Sequence, residues 1–187
     1  MTHVPPREEV LAIVEARVAN VNLRRHMLAT EAIMRALAGR LGDDPDLWGL
    51  AGLAHDLDCE ETGDDLSRQG VVAAGVLREL GAPETVAHAV MAHNPATGVA
   101  AESRFDVALL ATDQLSGLIT AAALVRPDKD LAGVKVKSVR KRFRESAFAR
   151  GVDRDAIVRC GELGLELDDF MSIGLAAMQG IAPQLGL

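Results

Sequence analysis

Apolar side chains recur with helical spacing along most of the chain. Between Leu23 and Leu41 they return at steps of three and four residues, as one face of an α-helix requires. The stretch from Leu47 to Leu57 is apolar on most sides, which is typical of a buried helix. Glycine, proline and acidic clusters separate these segments. The pattern predicts helices at about residues 7–18, 23–41, 47–57, 66–80, 84–93, 103–125, 138–150 and 168–179, with one more after Asp153.

Two short segments depart from the helical pattern. Glu60–Asp65 is acidic and is predicted to be a loop, and Val134–Lys137 alternates as a locally extended segment would. Ser138 is the candidate N-cap of the helix that follows. We find no internal repeat and no convincing linker, so we expect one all-α domain over residues 1–187. Its core must be mainly aliphatic, because the chain has one Trp, four Phe and no Tyr.

Charge and cysteine content narrow the class of protein. The formal net charge of −7 argues against a binder of nucleic-acid polymers, which would need a dominant basic surface. The two cysteines do not form a C-x-x-C pair, so a disulfide framework or thiolate zinc site is not expected. The first residues lack the apolar region of a signal peptide, and no run of 18 uninterrupted apolar residues occurs. We therefore expect a cytoplasmic protein that does not span a membrane.

His55 and Asp56 close the most apolar helix in the chain. Burying a carboxylate among Leu and Trp side chains is costly unless a metal ion or a hydrogen-bonded cation offsets its lost solvation. The pair has another interpretation, in which His55 interacts with the helix dipole and Asp56 caps a turn. Taken alone, it is a weak signal for a metal site.

Two further polar residues lie on inward helix faces. His26 borders the apolar stripe of the helix over residues 23–41, and Asp113 lies mid-helix with no Lys or Arg one turn away. Either could be a satisfied core residue. Together with His55 and Asp56, they offer four nitrogen and oxygen ligands from three helices. Such ligands suit Zn, Mn, Fe, Co or Ni, and fit Mg less well.

The order His26, His55-Asp56, Asp113 resembles the H…HD…D signature of the HD-domain superfamily of metal-dependent phosphohydrolases. Further segments look like a group of uncharacterised bacterial HD-domain proteins: Asn22–His26, Leu47–Asp58, Ala92–Asn94 and Val134–Ser138. The resemblance implies a helical bundle whose metal-binding core covers about residues 20–125. The C-terminal helices, about residues 138–187, would pack on that core.

The resemblance also implies that one divalent ion is held by His26, His55, Asp56 and Asp113. This ion would activate water for attack on a small phosphomonoester or a nucleotide. Some branches hold a second ion through two more histidines, and the candidates here are His93 and His88. His93 fits better, because the two are about 140° apart on an ideal helix. Gln69 stands where a further histidine is expected, which disfavours a two-metal site and the di-iron oxygenase chemistry of a few relatives.

Other residues are candidates for contact with the reacting groups. Asp58, two residues after the HD pair, could act as a general acid or base, or lie in a solvated acidic loop. Six of the ten residues from Lys135 to Arg144 are basic, so Lys137 is a candidate phosphate ligand, as is Arg25 beside His26. A solvated helix face is the alternative for both. A non-catalytic metal- or nucleotide-binding regulator remains the second functional hypothesis, and a homo-oligomer is left open.

Overall fold

The computed structural model describes residues 4–187, which are mainly helical, and this range contains no β-strand. The prediction of an all-α fold is therefore confirmed. Short 3₁₀ turns at Pro95–Thr97, Leu131–Gly133 and Arg159–Leu163 join some of the helices. The α-helices are α1 (Arg7–Arg17), α2 (Val21–Leu41), α3 (Pro45–Ala54), α4 (Cys59–Thr62), α5 (Val71–Glu79), α6 (Glu84–Ala92), α7 (Arg104–Leu124), α8 (Val136–Arg144), α9 (Arg154–Val158), α10 (Leu167–Gly180) and α11 (Ala182–Leu185).

The two long helices α2 and α7 contact each other at the centre of the fold. The side chain of Asn20 accepts bonds from two backbone N–H groups at the start of α2, and Gly42 ends the helix at φ +79°. Ser103 and Asp106 form a capping box at the start of α7. α3 packs on α2, α6 packs on α7, and α8, α10 and α11 pack against the α2–α7 pair.

A continuous, mainly aliphatic core runs through the fold from α1 to α11. Its few aromatic side chains include Phe170, which is fully buried, and Trp48, whose ring stacks on Phe105 at 5.4 Å between centroids. α7 is long and apolar enough to cross a membrane, but 67% of its apolar stretch is buried within the fold. That burial is what a core helix of a globular protein shows.

The helix predicted over residues 66–80 begins later than expected, at Val71. The side-chain amide of Asn94 donates to the carbonyls of Leu66 and Gln69 at 2.7 and 2.9 Å, which holds residues 66–69 out of the helix. Gly70 then turns the chain at φ +90°, where an added Cβ would lie 2.7 Å from the carbonyl oxygen of Val90. A glycine is therefore required at this close approach. The prediction of a loop over Glu60–Asp65 is wrong in part, because the first residues of this stretch belong to the short helix α4 (Cys59–Thr62).

The boundaries of α8 also differ from prediction. Lys135, not Ser138, is its N-cap residue, and the extended conformation stops there. The helix ends at Arg144 because the Arg154 side chain takes up the following carbonyl groups. Its guanidinium donates to the backbone oxygens of Phe143, Glu145, Phe148, Ala149 and Val152. Asp153 caps α9 as expected, accepting from two backbone N–H groups.

Candidate metal centre

Three segments bring four polar side chains to one place between α2, α3 and α7. α2 contributes His26, and α7 contributes Asp113 from its middle. α3 ends at Ala54, and His55 and Asp56 lie in the turn that follows rather than inside the helix as predicted. His55 is completely buried and Asp56 is 8% exposed, while His26 and Asp113 are half-buried.

The candidate ligand atoms of His26, His55 and Asp56 lie within 4.8 Å of one another, and Asp113 lies close to both imidazoles. His26 Nε2 lies 3.1 Å from His55 Nε2 and 2.9 Å from Asp113 Oδ1. Asp56 Oδ2 lies 3.4 Å from His55 Nε2 and 3.7 Å from His26 Nε2, and Asp113 Oδ1 lies 3.7 Å from His55 Nε2. Ligands held about 2.1 Å from one ion at angles of 90–110° would be about 3.0–3.5 Å apart. The donor set therefore fits a first-row divalent ion.

The other nitrogen of each histidine ring already has a partner. His55 Nδ1 donates to the carbonyl of Gly52 at 2.9 Å, so Nε2 of the neutral ring carries a lone pair. His26 Nδ1 lies 3.0 Å from Ser116 Oγ, whose own proton is directed to the carbonyl of Asp113. When both rings are neutral, the two Nε2 atoms face each other as acceptors, and a cation between them would turn their repulsion into attraction.

Proximity also shifts the pKa values of Asp113, Asp56 and His26. Burial alone would raise the pKa of Asp113, but bonds from His26 and His55 hold it well below its ordinary range. Asp56 behaves alike, because the nearby His55 and His93 outweigh its burial and lower its pKa. Burial would lower the pKa of His26, yet the bond and charge of Asp113 raise it. Protonated imidazole can therefore balance the carboxylates when no ion is bound, and metal binding would release protons.

A family model for the HD domain matches residues 23–124, more than half of the chain. The matched range begins just before His26 and ends with α7, so it includes all four converging residues. The chain belongs to the HD-domain family. Among curated proteins, no similar sequence is found. HD domains commonly bind divalent metal ions and are commonly metal-dependent hydrolases, although some are non-catalytic.

His93 and Gln69, two of the three candidates for a second set of metal ligands, lie beside the HD-domain cluster, the name used here for His26, His55, Asp56 and Asp113. His93 Nε2 is 3.5 Å from Asp56 Oδ1, and its Nδ1 bonds the carbonyl of Val90. Burial would lower the pKa of His93, but its bond with Asp56 and their charge attraction raise it to about 9. The side-chain amide of Gln69 donates to the same Asp56 Oδ1 at 2.9 Å. Asp56 Oδ1 therefore faces two nitrogen groups of the protein.

His88 lies elsewhere, and the structure corrects its place in that set. Its Nδ1 is 3.1 Å from Asp106 Oδ1, at the first turn of α7. His88 and His93 are five residues apart on and just after α6, so their side chains leave the helix in different directions. His88 is a partner of the α7 capping box and not of the HD-domain cluster.

The structure gives Asp58 a structural role, and its role as an acid or base stays a prediction. The Asp58 carboxylate is fully buried and accepts from the backbone N–H of Gly70 at 2.9 and 3.1 Å and of Ala73 at 2.8 Å. Burial raises the pKa of Asp58, and these N–H bonds oppose the shift. Asp58 thus caps α5 from a distance and stabilises the turn that carries Asp56.

Replacing Asp58 is expected to destabilise the fold. Asp58→Ala leaves the buried N–H groups of Gly70 and Ala73 without partners, at a cost of about 2–4 kcal/mol. A loss of about 5–12 °C in Tm should follow, measured by thermal unfolding. Asp64→Ala, an exposed acidic residue in the adjoining turn, is the control and should change Tm little. If Asp58→Ala kept its Tm but lost turnover, the result would support a catalytic role for Asp58.

The two candidate phosphate ligands lie in different places. Arg25 lines a cavity that also includes His26. Lys137 lines a separate surface cavity on α8, together with Arg140, Lys141 and Arg144, and His26 is not part of it. The structure therefore groups Arg25, and not Lys137, with the candidate metal centre. The alternating apolar and basic residues of Val134–Lys137 gave no information on where Lys137 lies in the fold.

Supporting residues of the site were missed by the sequence analysis. Ser116, Gly52 and Asn94 orient His26, His55 and the segment of Gln69, respectively. Gln114 donates to Asp113 Oδ2 at 2.7 Å. Ser116 is one helical turn from Asp113, so its spacing could have indicated it. The carbonyl of Gly52 has no signal in a sequence, because every residue has a carbonyl group.

Proposed function

We propose that this HD-domain protein is a metal-dependent phosphohydrolase for a small phosphorylated molecule. The observation that supports it is the convergence of two imidazole nitrogens and two carboxylates within 2.9–3.7 Å of neighbouring ligand atoms. A divalent ion held there lowers the pKa of a coordinated water and polarises a phosphoryl oxygen. His26, His55, Asp56 and Asp113 would hold it.

The residues around this set have separate tasks in the proposal. Ser116 and the carbonyl of Gly52 hold the two imidazole rings so that Nε2 of each faces inward. Gln114 holds the second oxygen of Asp113. His26 is the most exposed of the three clustered histidines, so the cavity beside it is where substrate would approach. Arg25, in that cavity, would bind the phosphate group.

Gln69 favours one ion over two. Its amide must direct N–H, and not its oxygen, at Asp56 Oδ1, because two acceptors at 2.9 Å would repel each other. Asp56 Oδ1 is therefore already hydrogen-bonded to Gln69, and it also lies close to His93. A second ion would have to displace this donor, so we propose a single divalent metal ion. The di-iron oxygenase alternative loses support for the same reason.

A phosphoester panel with added Mn²⁺, Co²⁺ or Mg²⁺ tests the proposal. We expect turnover of at least one phosphomonoester, and a loss of more than about 100-fold in kcat/KM in Asp56→Ala, since even outer partners of metal ligands typically contribute 10–100-fold. The exposed Asp169, in the first turn of α10, provides the matched control Asp169→Ala, which should retain activity.

The same panel separates the alternatives. Metal bound in a 1:1 ratio without hydrolysis of any ester, in protein whose circular dichroism is that of a helical fold, would favour the non-catalytic regulator. Two irons per chain and oxygen consumption would favour the oxygenase. Activity that persists in the presence of a chelator, or in Asp56→Ala, would contradict a metal-dependent hydrolase.

A further inference from the structure

A cavity of about 440 Å³ opens beside the exposed edge of His26. This volume lies within the range of small-molecule sites, about 300–1,000 Å³. α2 supplies Asn22, Arg25 and His26 to its wall, at the i, i+3, i+4 spacing of one helix face. α7 supplies Gly117, Thr120, Ala121 and Leu124, and the end of the described chain, Leu185–Leu187, completes the lining.

The cavity is continuous with the candidate metal centre through both helices. His26 belongs to the ligand set and to the cavity wall. On α7, Asp113 and Gly117 are one turn apart, and Thr120, Ala121 and Leu124 continue along the same face. A molecule whose phosphate lay at the cluster would therefore extend along the groove between α2 and α7, away from Asp113.

The chemistry of the wall limits what that molecule can be. Arg25 is the single Arg or Lys among the lining residues, and no acidic residue is among them. The guanidinium of Arg25 lies against Gly186, and within residues 4–187 no carboxylate lies within ion-pair distance of it, so no acidic group competes with a ligand for its charge. A di- or triphosphate would need further cationic partners along its length. The lining also has no Phe or Trp on which a nucleobase could stack.

Apart from Asn22 and Thr120, the rest of the wall is apolar. Leu124, Leu185, Ala121 and the two glycines present hydrocarbon or backbone, and Leu124 is 49% exposed although it is a large apolar side chain. Leu124 would lose contact with water if an apolar group entered the cavity, which is favourable by about 25 cal/mol for each Å² buried.

We propose that the ligand of this cavity is a phosphomonoester with an uncharged, largely aliphatic body, and not a polyphosphate or a nucleotide. Arg25, whose guanidinium lies beside Gly186, binds the phosphate from the cavity wall, and the body lies against Ala121 and Leu124. The assignment rests on the proposed hydrolase function for its phosphate end, and it narrows the substrate class of that function.

Alkylphosphonates, which cannot be hydrolysed as esters, test this assignment by calorimetric titration of the Mn²⁺-loaded protein. From methyl- to butyl- to hexylphosphonate, affinity should rise by about fourfold per CH₂ until the cavity is full, which corresponds to about 0.8 kcal/mol per methylene. Pyrophosphate and adenosine monophosphate should bind less tightly than hexylphosphonate. A flat series, or tighter binding of either of these two, would overturn the assignment.

Matched variants locate the binding. Ala121→Phe fills the cavity and should abolish the dependence on chain length while methylphosphonate affinity changes less than about twofold, whereas Ala132→Phe, at an exposed position outside the cavity, should preserve the series. Arg25→Gln should weaken the whole series by about tenfold or more, and Arg40→Gln, exposed at the end of α2, should not. A chain-length series that Ala121→Phe leaves intact would refute the site.

Failure of the proposed function is distinguishable from failure of this assignment. If no phosphoester is hydrolysed but the alkylphosphonate series keeps its slope, the cavity binds such a ligand and the protein is not a hydrolase. If esters are hydrolysed without preference for aliphatic groups, the function stands and the assignment of the cavity is wrong.

Discussion

Asp113→Ala is expected to weaken Mn²⁺ binding by more than about 100-fold, a larger loss than the 10–100-fold typical of an outer partner. The carboxylate lies 2.9 Å from His26 Nε2 and 3.7 Å from His55 Nε2, so its removal takes one ligand and the negative charge that both imidazoles face. Titration calorimetry at constant pH measures the affinity directly. Constant pH matters because protons compete with the metal ion for His26, whose pKa is raised by Asp113 against the effect of burial.

Thermal unfolding gives a second measure of the same effect. A ligand at 100 times its Kd stabilises the folded state by about 2.7 kcal/mol, so chelation should lower the Tm of the unaltered protein by about 5–10 °C. Asp113→Ala should show little response to the chelator. Asp169→Ala should respond as the unaltered protein does. If Asp113→Ala bound Mn²⁺ normally, the ion would be held by His26, His55 and Asp56 without the α7 carboxylate.

The polar residues of the candidate metal centre could be found from the sequence because each is a polar residue among apolar neighbours. Asp113 lies within an apolar helix, and His55 and Asp56 close another, so an unusual residue type on an inward face indicates a partner. The helical period then showed that these faces point inward. Three helix faces converge only through tertiary packing, and there the resemblance to the HD domain provided what the periodicity could not.

Asp58 shows where such reasoning stops. Its closeness to the HD pair in sequence suggested a chemical role, but its oxygens bind N–H groups of Gly70 and Ala73, 12 and 15 residues away. The number of backbone donors that reach a carboxylate depends on how the turn folds, and this cannot be deduced from residue types. Lys137 shows a different limit, since it lines a cavity that does not include His26. A basic run indicates cations in a sequence but not the face of the fold on which they lie.

Gly52 lies at a close contact between α2, which carries His26, and α3, which leads into the turn with His55. A Cβ at Gly52 would lie 2.8 Å from the backbone N and Cα of Glu31 and 2.9 Å from the carbonyl carbon of Thr30. These are backbone atoms of α2, so no side chain can rotate away to relieve the overlap. Any larger residue at this position must push α3 away from α2, and with it the turn that carries His55 away from His26.

Gly52→Ala is therefore expected to lower the free energy of unfolding by about 2–4 kcal/mol, at or above the usual range for overpacking because both helices are rigid at the contact. Glu31 adds to the cost, since its buried carboxylate, beside this contact, accepts bonds from Arg7 of α1 at 2.6 and 2.8 Å and from Arg35 of α2 at 2.9 Å. Denaturant unfolding measures this loss.

The matched control is Gly39→Ala, another glycine within a helix, where an added Cβ meets no atom within 4 Å. That change should stabilise the protein by about 0.5–1 kcal/mol, because alanine is the better helix former. Gly52→Ala should also weaken Mn²⁺ binding by about tenfold or more, as loss of an orienting partner does, while Gly39→Ala leaves it unchanged. A destabilised Gly52→Ala protein with normal Mn²⁺ affinity would show that the His26–His55 separation does not depend on this contact. Coupling of the two losses would instead mean that helix packing, and not the ligands alone, determines the geometry of the metal centre.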